Sequence, residues 1–199
     1  MMLVEETPVP AAAVPVDALK AHLRLGTGFA DDAVQDAVLE SFLRAAMAAV
    51  EGRTGKILIS RDFSWNLMEW GDPMGQVLPV APVNAVTALV TTDPDGGQTA
   101  LAVSDLTLAQ NAHRPKLVPK GACLPAIPAK GSVTITFTAG FAPDFSGLPD
   151  DLAQAILMLA AHYYENRNAV DVPMGSMPFG VAALTERYKN IRILGGAPA

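Results

Sequence analysis

The stretch "LPDDLAQAILMLAAHYYENR", residues 148–167, predicts a core helix. Pro149 suits the first turn of a helix, and Asp150 and Asp151 place negative charge at the positive end of the helix dipole. One apolar stripe runs along this helix and consists of Leu152, Ile156, Leu159 and Tyr163. Burying each of these side chains would contribute about 1.5–3 kcal/mol. The stretch therefore predicts a helix with one face in a hydrophobic core.

The end of this helix, "AAHYYENRN" at residues 160–168, could be a metal site or a contact surface. His162 and Glu165 lie three residues apart, so both could touch one ion. A working site needs two more ligands, and the remaining histidines of the chain are His22 and His113. We therefore expect no metal and no cofactor, and interpret the segment as the polar end of a helix.

A second helix is predicted upstream, over residues 32–52. It begins at the capping-box-like "DDAVQ", and its apolar residues go nearly all the way round. A helix without a polar face is buried on more than one side, so we expect its second cover to be another subunit. The segment "VDALKAHLRL" predicts a shorter helix capped by Asp17, and the Pro- and Ala-rich residues 1–15 predict an extended arm.

Strand signals fill the region between the long helices. "ILISRDFSWNLMEW" and "GSVTITFTAGF" alternate apolar and polar residues, and "VNAVTALVTTD" is rich in β-branched residues. Turn signals separate these runs. The sequence thus predicts an α+β fold, in which a small helical bundle carries an inserted antiparallel β unit. The expected parts are a helical core at 16–55 and 148–170, a β insertion at 56–147 and a C-terminal arm at 171–199.

Composition limits the classes of function. Of 199 residues, 50% are apolar and 17% are charged, which is apolar for a soluble monomer and suggests a surface covered by partners. No apolar run approaches the roughly 20 residues that span a bilayer, and the acidic, Pro-rich start does not resemble a secretory signal. We therefore expect a cytoplasmic protein with no membrane partner. The net charge of −6 argues against tight binding to nucleic acid.

Two motifs resemble ligand sites and fail on closer inspection. "EGRTGK" would need Gly and Ser or Thr, where Val50 and Ile57 stand, to bind phosphate as a Walker loop. "DPDGG" resembles a calcium loop, but the twelfth position counted from Asp93 is Ser104 rather than Glu, so we expect a hairpin turn.

Single residues of functional types are also better explained by structure. Trp65 and Trp70 could line a sugar-binding face, but aromatic residues on an alternating strand more often lie in a sheet core. Cys123 is the only cysteine, which excludes an internal disulfide, and we expect it to be a partly buried small hydrophobe. With no convergent polar set in view, we expect that the chain is not an enzyme.

The order of these segments resembles the head–tail connector, or adaptor, family of tailed bacteriophages and phage-like gene transfer agents. The resemblance runs from about Val16 to Arg192, and rests most on Ala160–Arg167 and Pro178–Leu184, with "AAMAAVEGRTGK" as further support. It implies a structural role in a virion-like particle: a ring of subunits, a homo-dodecamer, that lies between the portal and the tail at the neck. Its implied partners are copies of itself, the portal and a tail-side stopper, while DNA passes through without specific binding.

The resemblance also suggests contact residues. Inter-subunit contacts are expected at Leu39, Phe42, Leu43, Tyr164, Glu165 and Arg167. A portal-binding segment is expected at Arg187, Tyr188, Lys189, Ile191, Arg192, Ile193 and Leu194, which combine positive charge with apolar anchors. Alternatives remain open: the C-terminal segment could pack on its own subunit, and the chain could be another neck or tail-completion ring, or a monomeric β-sandwich binding module.

Overall fold

The computed structural model describes residues 2–25, 33–167 and 177–189. Within these ranges the helices are α1 (Val16–His22), α2 (Ala33–Thr54), α3 (Asp150–Glu165) and α4 (Phe179–Thr185). The strands are β1 (Met2–Glu5), β2 (Arg61–Leu67), β3 (Gln76–Val77), β4 (Val83–Thr92), β5 (Gln98–Ala100), β6 (Leu106–Ala109), β7 (Lys116–Pro119) and β8 (Ser132–Ala139). Short 3-10 turns lie at Ala11–Ala13, Val103–Asp105, Phe145–Gly147 and Glu186–Tyr188. The mixture of helices and antiparallel strands confirms the predicted α+β class.

The chain forms two compact units, of which the sheet unit comprises Met1–Pro15 and Lys56–Pro149. Its larger sheet has the strand order β1-β2-β8-β4-β5, and every neighbouring pair is antiparallel. A smaller antiparallel sheet has the order β3-β7-β6. The long strands lie where the alternation of the sequence predicts them.

Alternation along β2 and β8 builds the core of the sheet unit. Phe63 pairs with Phe137 across the two strands, and their rings stack with centroids 5.8 Å apart. Trp65 is only 3% exposed, so the sheet-core interpretation of this residue is confirmed and a sugar-binding role is excluded. Trp70 is half-buried, and its indole N–H donates to the Pro125 carbonyl at 2.7 Å.

The N-terminal segment is extended, as predicted, but part of it belongs to the sheet. β1 pairs along its whole length with β2 at the sheet edge. Glu5 and Arg61 form an ion pair at 2.9 Å, and Arg61 is buried. The side chains of Met2, Leu3 and Val4 are exposed. Residues 2–5 are therefore held by a strand ladder rather than free.

The motifs that resembled ligand sites have structural roles. Asp93 in "DPDGG" accepts hydrogen bonds from the N–H groups of Asp95 and Gly97, at 3.0 and 2.7 Å, and this turn joins β4 to β5. The hairpin prediction is therefore confirmed. Lys56 of "EGRTGK" is 1% exposed, and its Nζ lies 3.2 Å from Nδ1 of His113. Burial lowers the pKa of Lys56.

Cys123 differs from its prediction, because its side chain is exposed. In the loop "GACLP" after β7 the next residue, Leu124, is the one that points into the core, at 4% exposure. The pattern predicted the buried position one residue too early.

The helical unit comprises Val16–Gly55 and Asp150–Ala199. α3 is its central element, since α1, α2 and α4 all pack against it. The predicted stripe of α3 is buried at Leu152, Ile156 and Leu159, while Tyr163 is half-buried. None of the helices in the described ranges has both the length and the hydropathy needed to cross a membrane.

Candidate functional site: interaction surfaces of the helical unit

The polar end of α3 closes the helix with hydrogen bonds between neighbouring residues. Asn166 donates from its backbone N–H and from Nδ2 to the carbonyl of His162, at 3.1 and 2.8 Å. The same Nδ2 lies 3.1 Å from Nδ1 of His162. Across the described parts of the chain, no three His, Cys, Asp or Glu side chains are grouped so that they could hold an ion. The His162 ring thus interacts with Asn166, four residues later on the same helix end.

Aromatic and cationic side chains meet where α2 approaches the end of α3. The ring of Phe42 meets that of Tyr164 edge-on, with centroids 6.1 Å apart at 89°. The guanidinium of Arg167 lies 4.5 Å from the centre of the Tyr164 ring and donates to the Tyr164 carbonyl at 2.8 Å. Val38, one turn before Phe42, is 42% exposed. We call Val38, Phe42, Tyr164 and Arg167 the α2–α3 corner.

α2 separates its apolar residues by size. The large ones face inward, and Leu39, Leu43 and Val50 are 0% exposed. The exposed positions between residues 37 and 52 are mainly small and uncharged: Ala37, Val38, Ser41, Ala45, Ala48 and Gly52. Nearby charges on the same helix neutralise each other, because Arg44 and Glu40 form an ion pair at 2.8 Å. α2 therefore presents an uncharged outer face.

A three-residue contact fastens the end of α4 to the start of α3. The Tyr188 hydroxyl donates to Oδ1 of Asp151 at 2.7 Å, and Arg187 forms an ion pair with Oδ2 of Asp151, also at 2.7 Å. The Arg187 guanidinium also lies 4.7 Å from the centre of the Tyr188 ring. Burial, and then the hydrogen bond to Asp151, raise the pKa of Tyr188. We call these three residues the Tyr188 clasp.

α4 packs closely on α3 and leaves one aromatic side chain outside. Val181 and Thr185 are 0% exposed, and a side chain at Gly180 would come within 2.7 Å of Cε of Met158. Phe179 is 90% exposed at the first residue of the helix. Its direction is fixed by a helix that is anchored on its other face.

The predicted inter-subunit residues divide into two groups. Leu39 and Leu43 are completely covered by the chain itself, so the prediction of contact with another subunit does not hold for their side chains. Phe42, Tyr164, Glu165 and Arg167 are half-buried or exposed and remain available. For these four residues the inter-subunit contact stays a prediction.

The predicted portal-binding residues also divide. Tyr188 is only 9% exposed, and both Arg187 and Tyr188 bond to Asp151, so this part packs on its own subunit, as the alternative proposed. Lys189 forms an ion pair with Glu186. The other members lie outside the described residues: Ile191, Arg192, Ile193 and Leu194. Residues 179–188 are therefore helical and packed on α3; the arm predicted over 171–199 stays a prediction.

Asp151 is the residue that the sequence reasoning missed. The helix dipole alone explains its position at the start of α3, where its Oδ1 also accepts from the N–H of Leu152 at 2.9 Å. The second role depends on Tyr188, which is 37 residues later. The only hint in the sequence was a second acidic residue where one would suffice for the helix dipole.

The chain is similar to chains of solved structures, whereas no model of a known protein family and no curated protein matches it. One similar chain comes from "Neck of empty GTA particle computed with C6 symmetry", with 52% identity and a TM-score of 0.90. A second comes from "Virion of native gene transfer agent (GTA) particle", with 52% identity and a TM-score of 0.88. A third comes from "Neck of native GTA particle computed with C12 symmetry", with 47% identity and a TM-score of 0.85.

Each of these alignments covers 100% of this chain and 100% of the other. Identity of 47–52% over the full length means that this chain and the three others are related along their whole sequences, and not only in their fold. The chain belongs to the family of structural proteins that form the neck of gene transfer agent particles.

Proposed function

We propose that this protein is the head–tail adaptor of its particle, a subunit of a closed ring between the portal and the tail. The observation that carries the proposal is its identity of 47–52%, over the full length, with chains from gene transfer agent particles, two of them described as necks. One of those necks is described with C12 symmetry, which supports a homo-dodecamer. Assembly would take place in the bacterial cytoplasm, with a tail-side stopper as the second partner.

The charge of the chain suits a ring through which DNA passes. A net charge of −6 per subunit repels phosphates, so a duplex would slide rather than be held by counterion release. Purified protein should therefore show no tight binding of duplex DNA at any salt concentration in a filter-binding or mobility-shift assay. Strong binding that weakens steeply with salt would contradict this part of the proposal.

The portal contact is proposed for the last ten residues, 190–199. Arg192 carries positive charge there, and Ile191, Ile193 and Leu194 supply apolar anchors. The Tyr188 clasp supports this assignment, because it holds Tyr188, two residues before this segment, against Asp151 at the start of α3. A fixed starting point lowers the entropy lost when a segment docks on a partner.

The proposal is tested in cells that make particles. The copy number of the chain per particle is measured by quantitative mass spectrometry, and a labelled chain is located by electron microscopy. We expect one ring of copies, directly below the portal. One or two copies per particle, or a ring that touches only the tail, would refute the adaptor role; the latter would identify another neck ring.

A truncation after Lys189 tests the portal contact separately. It removes residues 190–199 and keeps the Tyr188 clasp, and urea unfolding of the truncated and the full chain shows whether the folded units are intact. We expect filled heads that lack the adaptor and tails that do not join. The control is Tyr188→Phe in the full chain, which weakens the clasp but leaves the docking residues. Normal joining with the truncated protein would place the portal contact elsewhere.

A further inference from the structure

The helical unit carries exposed large hydrophobic side chains on two different flanks. Among its described residues these are Val38 on α2 and Phe179 on α4. Single exposed hydrophobic residues are common on protein surfaces. Here, however, each lies on a helix that is packed on α3, so the backbone at both positions is held against α3.

The two flanks follow from the residues of α3 that touch each neighbour. Asp151 and Met158 meet the α4 side, and they are about 20° apart around the helix at 100° per residue. Tyr164 meets Phe42 of α2, and lies about 120° around the helix from Met158. α2 and α4 therefore cover different sides of α3.

A cyclic ring requires such a pair of unlike surfaces. Each subunit of a ring contacts its two neighbours through different patches, because head-to-tail contacts are heterologous. The necks that contain related chains are described with C6 and C12 symmetry. An exposed side chain on one flank that fits a surface on the other flank of the next subunit would meet this requirement.

The α2–α3 corner has the chemistry to receive an aromatic ring. Its Tyr164 and Phe42 already pack edge-on, which is the arrangement that a third ring can extend. Arg167 offers a cation for the face of a ring, and it is exposed. Beside the corner, Ala45 and Ser41 are small and exposed, so a neighbouring helix could approach closely.

We propose that Phe179 of one subunit docks in the α2–α3 corner of the next subunit, and that this contact joins neighbours around the ring. The inference rests on the proposed ring function and names the surfaces that build it. Aromatic side chains and arginine are the residue types that most often dominate the energy of protein interfaces.

The test is a thiol cross-linking experiment on the full chain in purified particles. Cys123 is the only cysteine of the chain and is exposed, so Cys123→Ser gives a chain without a thiol, and products are identified with an antibody against this chain. Into this background are introduced Ser41→Cys beside the α2–α3 corner, Ala183→Cys one turn after Phe179, or both, and particles are treated with a short bismaleimide. Both positions are exposed, and Phe179 itself is kept. We expect the double variant to give a ladder of multimers on a denaturing gel.

The single variants make the result specific. Neither Ser41→Cys nor Ala183→Cys alone should cross-link, whereas particles that contain a mixture of the two should give dimers and nothing larger. A double variant with Asp95→Cys in place of Ala183→Cys, at the exposed β4–β5 turn, controls for chance proximity and should stay monomeric. Dimers from a single variant would mean a symmetric contact and would overturn the proposal.

A second measurement separates this inference from the adaptor role. Phe179→Ala should lower the number of copies in the neck by about tenfold, as expected for the loss of a dominant interface side chain. If the double cysteine variant occupies the neck at normal copy number but yields only monomers, the contact is refuted and the ring function stands. If even the wild-type chain is absent from the neck, both proposals are refuted.

Discussion

Replacing Tyr188 with Phe removes one hydroxyl from the Tyr188 clasp and leaves the ring in place. In the folded protein this hydroxyl donates to Oδ1 of Asp151 at 2.7 Å, and Tyr188 is 9% exposed. The clasp is the contact that ties the segment after α4 to the start of α3. The substitution therefore tests whether the C-terminal segment is fastened by this hydrogen bond.

The expected loss of stability follows from the partners that remain. A hydrogen bond to a charged group contributes about 1.5–3 kcal/mol. In the variant, Asp151 keeps Arg187 and the N–H of Leu152, so its carboxylate is not left unpaired. We therefore expect the lower value, about 1.5 kcal/mol, which corresponds to a fall in melting temperature of about 3–6 °C for a chain of this size.

The assay is urea unfolding followed by circular dichroism, with Tyr163→Phe as the matched control. Tyr163 is half-buried on the same helix as Asp151, and its hydroxyl makes no hydrogen bond to any residue that the structure describes. The control should unfold like the wild-type chain. Equal unfolding midpoints for the Tyr188 and Tyr163 variants would refute the clasp.

The pH dependence of the same pair gives a second check. The pKa of Tyr188 is raised above its ordinary value of 10.0, so the folded state favours the protonated phenol. The stability that this provides is fully present below pH 10.0 and is lost as the pH rises through the raised pKa. The difference between wild type and Tyr188→Phe should thus be constant at neutral pH and shrink above pH 10.0.

Three further substitutions have defined expectations, each measured by urea unfolding. Burial lowers the pKa of Lys56 below 10.5, so wild-type stability should rise with pH between the lowered pKa and 10.5; Lys56→Met should abolish that rise. Gly140→Ala should destabilise the sheet unit by about 2–3 kcal/mol, because Gly140 has a φ of 145° and a Cβ there would lie 2.4 Å from the backbone of Ser60. Gly52→Ala should instead stabilise the chain by about 0.5–1 kcal/mol, because Gly52 is inside a helix and no atom lies within 4 Å of the added Cβ.

Local patterns predicted the elements well, because their causes lie within a few residues. The alternation of Phe63, Trp65 and Leu67 shows β2 directly, and in the structure all three are buried. The turn at Asp93 was likewise predicted, because the side chain bonds to backbone groups two and four residues ahead. In each case the interaction that stabilises the element joins neighbours in the sequence.

The Tyr188 clasp and the place of β1 could not be predicted in this way. Asp151 meets a side chain 37 residues away, and Glu5 meets Arg61 across 56 residues. Nothing in the composition of residues 1–15 distinguishes a sheet-edge strand from a free arm. Such contacts depend on the tertiary fold, which brings distant segments together and cannot be derived from the local pattern of one sequence.

The apolar residues of α2 differ in size between the buried face and the exposed face of the helix. An apolar residue lowers the free energy when any surface covers it, so hydropathy alone could not distinguish Leu39 from Ala45. In the structure Leu39, Leu43 and Val50 fill the interior of the chain, while the exposed side chains of α2 between residues 37 and 52 are small, apart from Val38. A small side chain exposes little apolar area, yet it lets another helix approach closely. Phe179 departs from this rule on the other flank, and its nearly complete exposure is what a residue selected for a neighbour, rather than for its own core, would show.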